Sequence, residues 1–468
     1  MTLIIVGAGP TGLTLGAALA RRGHRVVAVD RDPGPAPDGS WRRTGVMQFD
    51  QAHGFRPQVR DLLLAEWPEA WQAWRDLGAE TVALPAPGAS QPPIGVRSRR
   101  STYERALRRA ATDVDGLTVA TGSVQGLVEE AGRVVGVTVD GSIRRADVVI
   151  DAGGRLSRLA PPAAIGGDTG MAYVSRTFRR REGTPPGPMV RPFAWAGMFH
   201  GYDSYVFPHE HGHLSVVLIR PTADAEFGIF RRLDAFEAAC RAIPGLADWT
   251  DPQVTAPTSG VLVGGGLLNA YRPQLGRPGL VAVGDAVATT APTAGRGLAM
   301  ASMQISALLE LMDTGIDPAT IAEPFDAWCD TWMRPWVEDH LAFDAETVRR
   351  WRGDDLDLGQ PLTSAAIVAA AQVDPRIEPA VVPFLAMDSL PATLATVEPM
   401  ARAVYETGWR PPTTDGPTRD ELVALAQRAS TSGRATTTRT SHALPRRRRH
   451  PPTPQPVNTA TLTKDRHR

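Results

Sequence analysis

Four residues near the start of the chain have the types and the spacing that hold a dinucleotide. Gly7, Gly9 and Gly12 form the pattern G-x-G-x-x-G, and Asp30 follows eighteen residues after the last of them. The first glycine permits a sharp turn, the second lets the backbone approach phosphates, and the third allows a helix to pack closely on a sheet. An acid placed like Asp30 accepts hydrogen bonds from ribose hydroxyls. The spacing predicts a dinucleotide site, without distinguishing FAD from a nicotinamide.

The neighbouring residues indicate the elements that must position this site. Residues 3–6 are apolar and suit a buried strand, and the small residues after Gly12 suit a helix. Residues 25–30 (RVVAVD) indicate a second strand that ends at the acid. Residues 3–30 therefore predict a βαβ unit with an anion at the N-terminus of its helix.

A second junction of this kind lies far along the chain. Residues 280–312 begin with an apolar strand, continue through a long turn of small residues and end in a helix. Because a helix N-terminus carries partial positive charge, this pattern predicts a second place where the backbone faces an anion.

Short strands dominate the sequence between these junctions. Residues 117–121, 124–130 and 133–139 suggest an antiparallel meander, and four more runs between residues 170 and 270 also alternate like strands. A strand-rich insertion between two halves of a nucleotide domain indicates a separate substrate domain. We therefore predict an α/β fold: a Rossmann-like domain with an inserted antiparallel β-sheet domain and a C-terminal helical region.

The predicted boundaries follow these shifts in pattern. They are residues 1–165 and 276–315 for the two parts of the nucleotide domain, 166–275 for the β-rich domain, 316–429 for the helices, and 430–468 for a basic tail. The tail is rich in Thr, Ser, Pro and Arg and poor in apolar residues. That composition predicts a disordered, solvated segment.

Composition limits the classes of function. The chain has 468 residues and a formal net charge of zero, which gives no case for nucleic acid or a membrane surface as a partner. No run approaches the ~20 apolar residues of a transmembrane helix. Its two cysteines, Cys240 and Cys329, form neither a disulfide framework nor a metal-spaced cluster. This favours a cytoplasmic setting with buried thiols.

Several histidines and a tyrosine crowd one strand-turn-strand region. His209, His211 and His213 alternate directly after a proline, and we interpret them as a solvated hairpin tip rather than a metal site. His200 or Tyr205 has the side-chain chemistry to deprotonate a phenol, so both are candidate catalytic residues.

Three separated stretches together resemble the glutathione-reductase-type FAD enzymes, in particular the single-Rossmann monooxygenases typified by p-hydroxybenzoate hydroxylase. The resemblance covers roughly residues 1–312 and begins with GAGPTG. Its last stretch, GDAVATTAPTAGRG, is similar to the family's G-D-A…P-x-x-G-x-G segment. By this resemblance Asp285 would bond the ribitol of FAD. Three further residues would present the backbone to the pyrimidine end of the flavin: Pro292, Gly295 and Gly297.

The middle stretch adds two arginines. WRRTGVMQF looks like the R-x-G-V-x-Q/E strand of the hydroxylases, which would put Arg43, or else Arg42, near the flavin or an incoming nicotinamide. Arg43 is thereby a candidate for both cofactor binding and catalysis. Arg100 opens a helix and matches the arginine that begins the family's helix beside FAD.

The sequence departs from the family at two positions. Gly153 stands where the A-D-G-x-x-S motif has its aspartate, so residues 151–157 look more like the D-A-x-G-R-x-S variant of styrene-monooxygenase-like, halogenase-like and reductase-like relatives. Ala288 stands where the hydroxylases commonly have histidine. The first departure puts direct docking of NAD(P)H in doubt.

The resemblance implies an FAD-dependent monooxygenase. The flavin would accept a hydride and form a C4a-hydroperoxide with O2, while the protein positions the substrate and excludes water. We expect hydroxylation or epoxidation of a small aromatic or polycyclic molecule in secondary metabolism. NAD(P)H would be the reductant, used directly or through a separate flavin reductase.

Three other functions were weighed. Flavin halogenation is rejected, because those enzymes use an active-site lysine and a W-x-W-x-I-P stretch, whereas the only lysine here is Lys464 in the tail. A reductase or dehydrogenase of the geranylgeranyl-reductase kind would act on carbon without inserting oxygen. An FAD-binding scaffold would use the basic tail to recruit partners.

Overall fold

The computed structural model describes residues 1–83, 93–190 and 193–439. Its strands are β1 (Thr2–Val6), β2 (Arg25–Asp30), β3 (Glu80–Val82), β4 (Gly95–Arg97), β5 (Leu117–Thr121), β6 (Val124–Glu130), β7 (Arg133–Val139), β8 (Ser142–Arg145), β9 (Val148–Asp151), β10 (Ile165–Asp168), β11 (Met171–Arg180), β12 (Trp195–Phe199), β13 (Tyr202–Pro208), β14 (His213–Pro221), β15 (Thr255–Pro257), β16 (Leu262–Gly264), β17 (Leu268–Tyr271), β18 (Leu280–Ala282) and β19 (Ala288–Thr289). Its helices are α1 (Pro10–Arg21), α2 (Pro57–Glu66), α3 (Pro68–Asp76), α4 (Arg100–Ala111), α5 (Leu233–Ala242), α6 (Pro244–Thr250), α7 (Gly297–Asp313), α8 (Ala322–Trp332), α9 (Arg334–Arg352), α10 (Ser364–Ala370), α11 (Glu378–Ala386), α12 (Glu398–Glu406) and α13 (Arg419–Arg439).

A parallel sheet in the order β18-β9-β1-β2-β5 forms the centre of the first domain. β1 pairs with both neighbours in parallel, so that Ile4 lies opposite Val27 on one side and Val149 on the other. Because parallel strands end at one edge, the turns after β1 and β18 meet there with one strand between them. The structure confirms the predicted Rossmann-like α/β domain.

One strand of the predicted meander belongs elsewhere. β5 (Leu117–Thr121) pairs in parallel with β2, and the meander consists of β6, β7 and β8 instead. The sequence could not separate these cases, since strand propensity does not report whether the partner strand runs parallel or antiparallel.

The inserted region forms a six-stranded antiparallel sheet, as predicted. Its order is β12-β13-β14-β11-β15, with β16 also paired to β11. One face packs on α5, α6 and α13 around buried aromatic side chains that include Phe227, Phe230 and Phe236. A small sheet of β10, β17 and β19 joins this region to the second junction.

The C-terminal region is helical, as predicted. The helix is interrupted between α8, which ends at Trp332, and α9. Trp332 is 41% exposed, whereas Trp336 in α9 is fully buried. These tryptophans therefore do not form one continuous aromatic face. α13 runs to Arg439, ten residues beyond position 429, where the sequence placed the end of the helices. The rest of the predicted tail lies outside the described residues.

Other packing predictions agree with the structure. Trp67 and Trp74 are fully buried in the core, and Cys240 and Cys329 are buried free thiols. Among the helices of the described ranges, none is both long and apolar enough to cross a bilayer.

Candidate active site

The first glycine turn is shaped for the close approach of a ligand. Gly7 has φ +103°, and a Cβ there would lie 2.5 Å from the carbonyl oxygen of Ala152. A Cβ on Gly12 would lie 1.9 Å from the carbonyl oxygen of Gly7, so turn and helix can close only on glycine. α1 follows Gly9 without a side-chain cap from the described residues. Its first N–H groups can therefore bind an anion.

Asp30 ends β2 beside this turn. Its Oδ2 accepts hydrogen bonds from the backbone N–H of Ala8 at 2.8 Å and from Nη2 of Arg43 at 3.1 Å. A carboxylate has about four lone-pair directions, so it retains acceptor capacity for a ribose hydroxyl.

Arg43 lies beside the first glycine turn. It is 9% exposed and pairs with Asp30, Asp32 and Glu104. These carboxylates hold the guanidinium over the first turn, where Nη1 would lie 3.9 Å from a Cβ on Gly9. This place suits contact with the ribose and pyrophosphate of a dinucleotide at the first turn, and the expected position near the flavin or an incoming nicotinamide stays a prediction. The catalytic role of Arg43 stays a prediction that this position does not favour.

The second glycine turn packs against the first. Gly284 has φ +71°, and a Cβ there would lie 2.9 Å from Cγ2 of Thr11. A single helical turn at Pro292–Ala294 is ended by Gly295 at φ +62°, and α7 begins at Gly297. No side chain of the described residues caps α7. The 17-residue helix thus opens with N–H groups that need an acceptor.

Asp285 lies beside the second turn without a hydrogen-bond donor. Its Oδ1 would lie 3.9 Å from a Cβ on Gly297, and no side chain or N–H of the described residues donates to its carboxylate. Burial raises the pKa of Asp285, and three arginines oppose the rise: Arg100, Arg155 and Arg272. A half-buried acceptor without a donor among the described residues fits a ligand hydroxyl.

Arg100 connects the two turns. It opens α4 and lines the same cavity as Asp285. Its Nε donates to Glu104 at 2.6 Å, and that carboxylate also binds Arg43. Glu104 thereby orients one arginine over the first turn and another near the second.

The segment 151–157 closes one side of the first turn. Asp151 accepts hydrogen bonds from the Ser157 hydroxyl at 2.6 Å and the Gly153 N–H at 2.9 Å. Burial raises the pKa of Asp151, and these two bonds oppose the rise. The adjacent carbonyl of Ala152 is the one that packs on Gly7. Asp151 therefore shapes the loop rather than facing a ligand.

A buried polar network holds the second turn from behind. Asn269 donates to Asp344 at 2.7 Å and accepts from the N–H of Ala291 at 2.7 Å. The Thr293 hydroxyl contacts Asp344 at 2.9 Å and Nε2 of His340 at 3.0 Å. Both β17 and α9 are thus fixed to the turn, because every member of the network has at least one partner.

Burial sets the protonation of this network. It raises the pKa of Asp344 to about 6, against the hydrogen bonds from Asn269 and Thr293. It lowers the pKa of His340 to about 3, with the help of nearby arginines. His340 is consequently neutral at any ordinary pH, and Asp344 titrates close to the physiological range.

One cavity of about 1960 Å³ joins both glycine turns to the six-stranded sheet. Its wall includes Gly9, Asp30, Asp285, Gly297 and Tyr205. Ligand pockets are usually about 300–1,000 Å³, so this cavity has room for a dinucleotide and a second molecule.

β13 supplies an aromatic part of the cavity wall. Tyr205 and Phe207 stack with ring centroids 6.1 Å apart and line the cavity. Tyr202 and Val206 pack against the helices on the opposite face, as the two-residue period of a strand requires. His200, in the turn before β13, is exposed and lines the same cavity. The two candidate catalytic residues thus share one cavity, and their catalytic roles stay predictions.

A buried ion pair fixes the sheet to α9 at this wall. Asp203 accepts from Nη2 of Arg350 at 2.7 Å and from Nε1 of Trp351 at 3.1 Å. Burial raises the pKa of Asp203, and Arg350 opposes that rise. The orientation of β13 therefore depends on a helix of the C-terminal region.

The hairpin between β13 and β14 forms as predicted, but its tip is not solvated at two positions. Glu210 is fully buried, and His209 is 4% exposed with Nε2 3.0 Å from Oγ of Ser215. Glu210 accepts hydrogen bonds from Nε of Arg99 at 2.7 Å and from the hydroxyl of Thr102. The prediction failed because the hairpin docks on the start of α4, which the local sequence does not reveal.

These features fit FAD. Two uncapped helix N-termini suit a pyrophosphate and the pyrimidine end of a flavin. Asp30 and Asp285 offer acceptors for the ribose and ribitol hydroxyls. One cavity connects these features, because residues of both glycine-rich segments line it.

Sequence reasoning missed the residues that support the second turn. They are Arg56, Asn269, His340 and Asp344. None lies in a motif, and the partners are separated by up to 239 residues. Only Pro57, directly after Arg56, marked its neighbourhood, as a helix start.

Comparison with known sequences finds a family match for the first segment of the chain. Residues 2–98 match the family model described as FAD dependent oxidoreductase. Squalene epoxidase erg1 of Schizosaccharomyces pombe is 31% identical over 142 residues, which cover 28% of this chain and 30% of that protein. The chain therefore aligns with less than a third of the length of this curated relative.

Solved structures share the fold over most of the chain. The flavin-dependent brominase Bmp2 has a TM-score of 0.56 at 14% identity, covering 87% of this chain and all of that one (100%). The structure titled "pqsL, a probable FAD-dependent monooxygenase from Pseudomonas aeruginosa" has a TM-score of 0.52 at 16% identity, covering 75% and 98%. At these identities the likeness concerns the fold. It is the fold of flavin-dependent enzymes.

Proposed function

We propose that this chain is an FAD-dependent monooxygenase that inserts one oxygen atom from O2 into a small aromatic or polycyclic metabolite. The match of residues 2–98 to the FAD-dependent oxidoreductase family supports the cofactor and the enzyme class. The fold shared with flavin-dependent enzymes supports the same class.

One observation carries the proposal. Both glycine turns and the aromatic wall of β13 border a single cavity, so a cofactor held by the turns would face a molecule bound against Tyr205 and Phe207. Such an arrangement suits reaction between a bound flavin and a flat apolar substrate.

The residues of this chain would divide the work as follows. The N-termini of α1 and α7 bind negative charge. Asp30 orients the adenosine ribose of FAD, and Asp285 orients its ribitol chain. Bound FAD supplies the exchange of electrons with the reductant and with O2. The apolar wall excludes water, which would otherwise compete with the substrate.

His200 and Tyr205 are the proposed acid-base residues. Each lines the cavity on the side of the β-rich domain, where either could remove a proton from a phenolic hydroxyl before oxygen transfer. If the substrate is phenolic, replacement of the group that acts should lower kcat while FAD binding is retained.

Isotope-labelled O2 tests the reaction class. The FAD-loaded chain is supplied with a reductant and a panel of aromatic compounds, and products are analysed by mass spectrometry. Incorporation of one labelled oxygen atom supports the proposal. A product that is saturated or desaturated without label would contradict it and favour the geranylgeranyl-reductase kind of chemistry.

The source of electrons is a separate proposal. We propose NAD(P)H as the reductant, acting on the flavin directly or through a flavin reductase. Both routes stay open because Gly153 stands where the hydroxylases have aspartate. Anaerobic mixing with NADPH distinguishes the two. Rapid bleaching of the flavin indicates direct reduction, and bleaching only after a reductase is added indicates a second component.

A further inference from the structure

Arg56 is an arginine that clamps the second glycine turn. Its Nη2 donates to the carbonyl oxygen of Ala294 at 2.9 Å and its Nε to that of Gly295 at 3.2 Å. Its Nη1 donates to the carbonyl of Leu385 at the end of α11. All three acceptors are therefore neutral backbone groups, two of them in the turn itself.

No carboxylate of the described residues pairs with Arg56. Its neighbours in the cavity wall differ, since Arg296 pairs with Asp339 and Arg60 pairs with Asp61. Burial and the charge of Arg296 lower the pKa of Arg56 to about 10, which still leaves the guanidinium charged at neutral pH.

An unpaired cation in a partly buried place is costly unless something negative offsets it. The carbonyl dipoles at the end of α11 and in the turn offset part of the charge, since a helix C-terminus carries roughly half a negative charge. The remaining positive charge of Arg56 adds to that of the N-terminus of α7, which begins two residues after Gly295.

We propose that Arg56 is a positioning residue that raises the reduction potential of FAD bound at the second turn. This inference rests on the proposed function, because it requires FAD in the cavity. Two-electron reduction with uptake of one proton leaves one negative charge on the ring of FAD. An uncompensated cation behind the turn stabilises that charged form more than the neutral oxidised form.

The test measures the potential rather than turnover. The FAD-loaded chain is reduced slowly with xanthine and xanthine oxidase beside a reference dye, without O2. In Arg56→Gln we expect the ratio of reduced to oxidised FAD affinity to fall at least tenfold, which lowers the potential by about 30 mV.

Two variants separate charge from hydrogen bonding. Arg56→Lys keeps the charge and loses part of the clamp, so it should weaken FAD binding equally in both redox states and keep the ratio within about twofold of the native value. Arg60→Gln is the matched control, four residues further along in α2, the helix that Arg56 precedes. It should leave the ratio unchanged, because Arg60 is already paired.

A further variant covers the case in which Arg56→Gln does not fold. Leu385 is 46% exposed and lines the cavity beside Arg56, so Leu385→Glu should neutralise the guanidinium without removing it, and Leu385→Gln is its uncharged control. We expect a lower potential only with the glutamate.

The outcomes are distinguishable. An FAD-loaded Arg56→Gln variant with the native potential would overturn the inference and leave the proposed function standing, as would equal shifts in Arg56→Gln and Arg56→Lys. A native chain that takes up no FAD would contradict the proposed function and the inference together.

Discussion

Replacement of Asp344 by asparagine should make the protein more stable at neutral pH. Burial raises the pKa of Asp344 to about 6 in the folded chain, whereas an aspartate in an unfolded chain titrates near 3.9. The folded state thus holds the proton more tightly. The contribution of Asp344 favours folding at low pH and is lost as the pH rises through about 6.

The structure sets the magnitude. A rise of the pKa from about 3.9 to about 6 corresponds to about 3 kcal/mol in the free energy of unfolding, at 1.36 kcal/mol for each pKa unit. An asparagine can accept from Asn269 and donate to the hydroxyl of Thr293, which then donates to His340. The amide therefore fits the network without an ionisable group, and His340, with its pKa lowered to about 3, adds no competing titration.

The assay is urea unfolding followed by the fluorescence of buried tryptophans such as Trp336. Near about pH 4 the two proteins should have similar free energies of unfolding, and near about pH 7 Asp344→Asn should be more stable by up to about 3 kcal/mol. Asp330→Asn, at an exposed site on α8, is the control. Parallel pH curves for the native chain and Asp344→Asn would refute the reasoning.

Other predictions concern the turns and the hairpin. Gly12→Ala puts a Cβ 1.9 Å from the carbonyl oxygen of Gly7; such overpacking costs ~1–3 kcal/mol, so FAD affinity measured by fluorescence titration should fall by about five- to 150-fold. Asp285→Ala removes a proposed charged acceptor worth ~1.5–3 kcal/mol and should weaken FAD binding by at least about tenfold. Unchanged affinity would contradict either assignment. Glu210→Gln weakens the hydrogen bonds from Arg99 and should lower the melting temperature. A melting temperature equal to the native value would argue against the role of Glu210 in holding the hairpin on α4.

The sequence predicted the parts of the fold that depend on local pattern. The βαβ unit at residues 3–30 follows from glycine spacing and apolar runs, because a close backbone approach tolerates no Cβ at Gly7 or Gly12. The antiparallel strands of the β-rich region follow from two-residue alternation, which the opposite burial of Tyr202 and Tyr205 reproduces.

Contacts between distant segments were not predictable in this way. Three carboxylates from two other segments hold Arg43 at the first turn, and no motif in the sequence marked these partners. Glu210 was expected in solvent and instead binds Arg99, 111 residues earlier in the chain. No motif marked Arg56, since its importance comes from three backbone acceptors far along the chain and from the absence of a carboxylate partner among the described residues.

A crystal structure of the chain grown with FAD would test the central claim most directly. The account predicts one FAD in the large cavity, with its pyrophosphate at the N-terminus of α1, its ribitol within hydrogen-bond distance of Asp285, and its pyrimidine edge at the start of α7. FAD bound elsewhere, or a cavity that remains free of FAD at saturating concentration, would contradict the account.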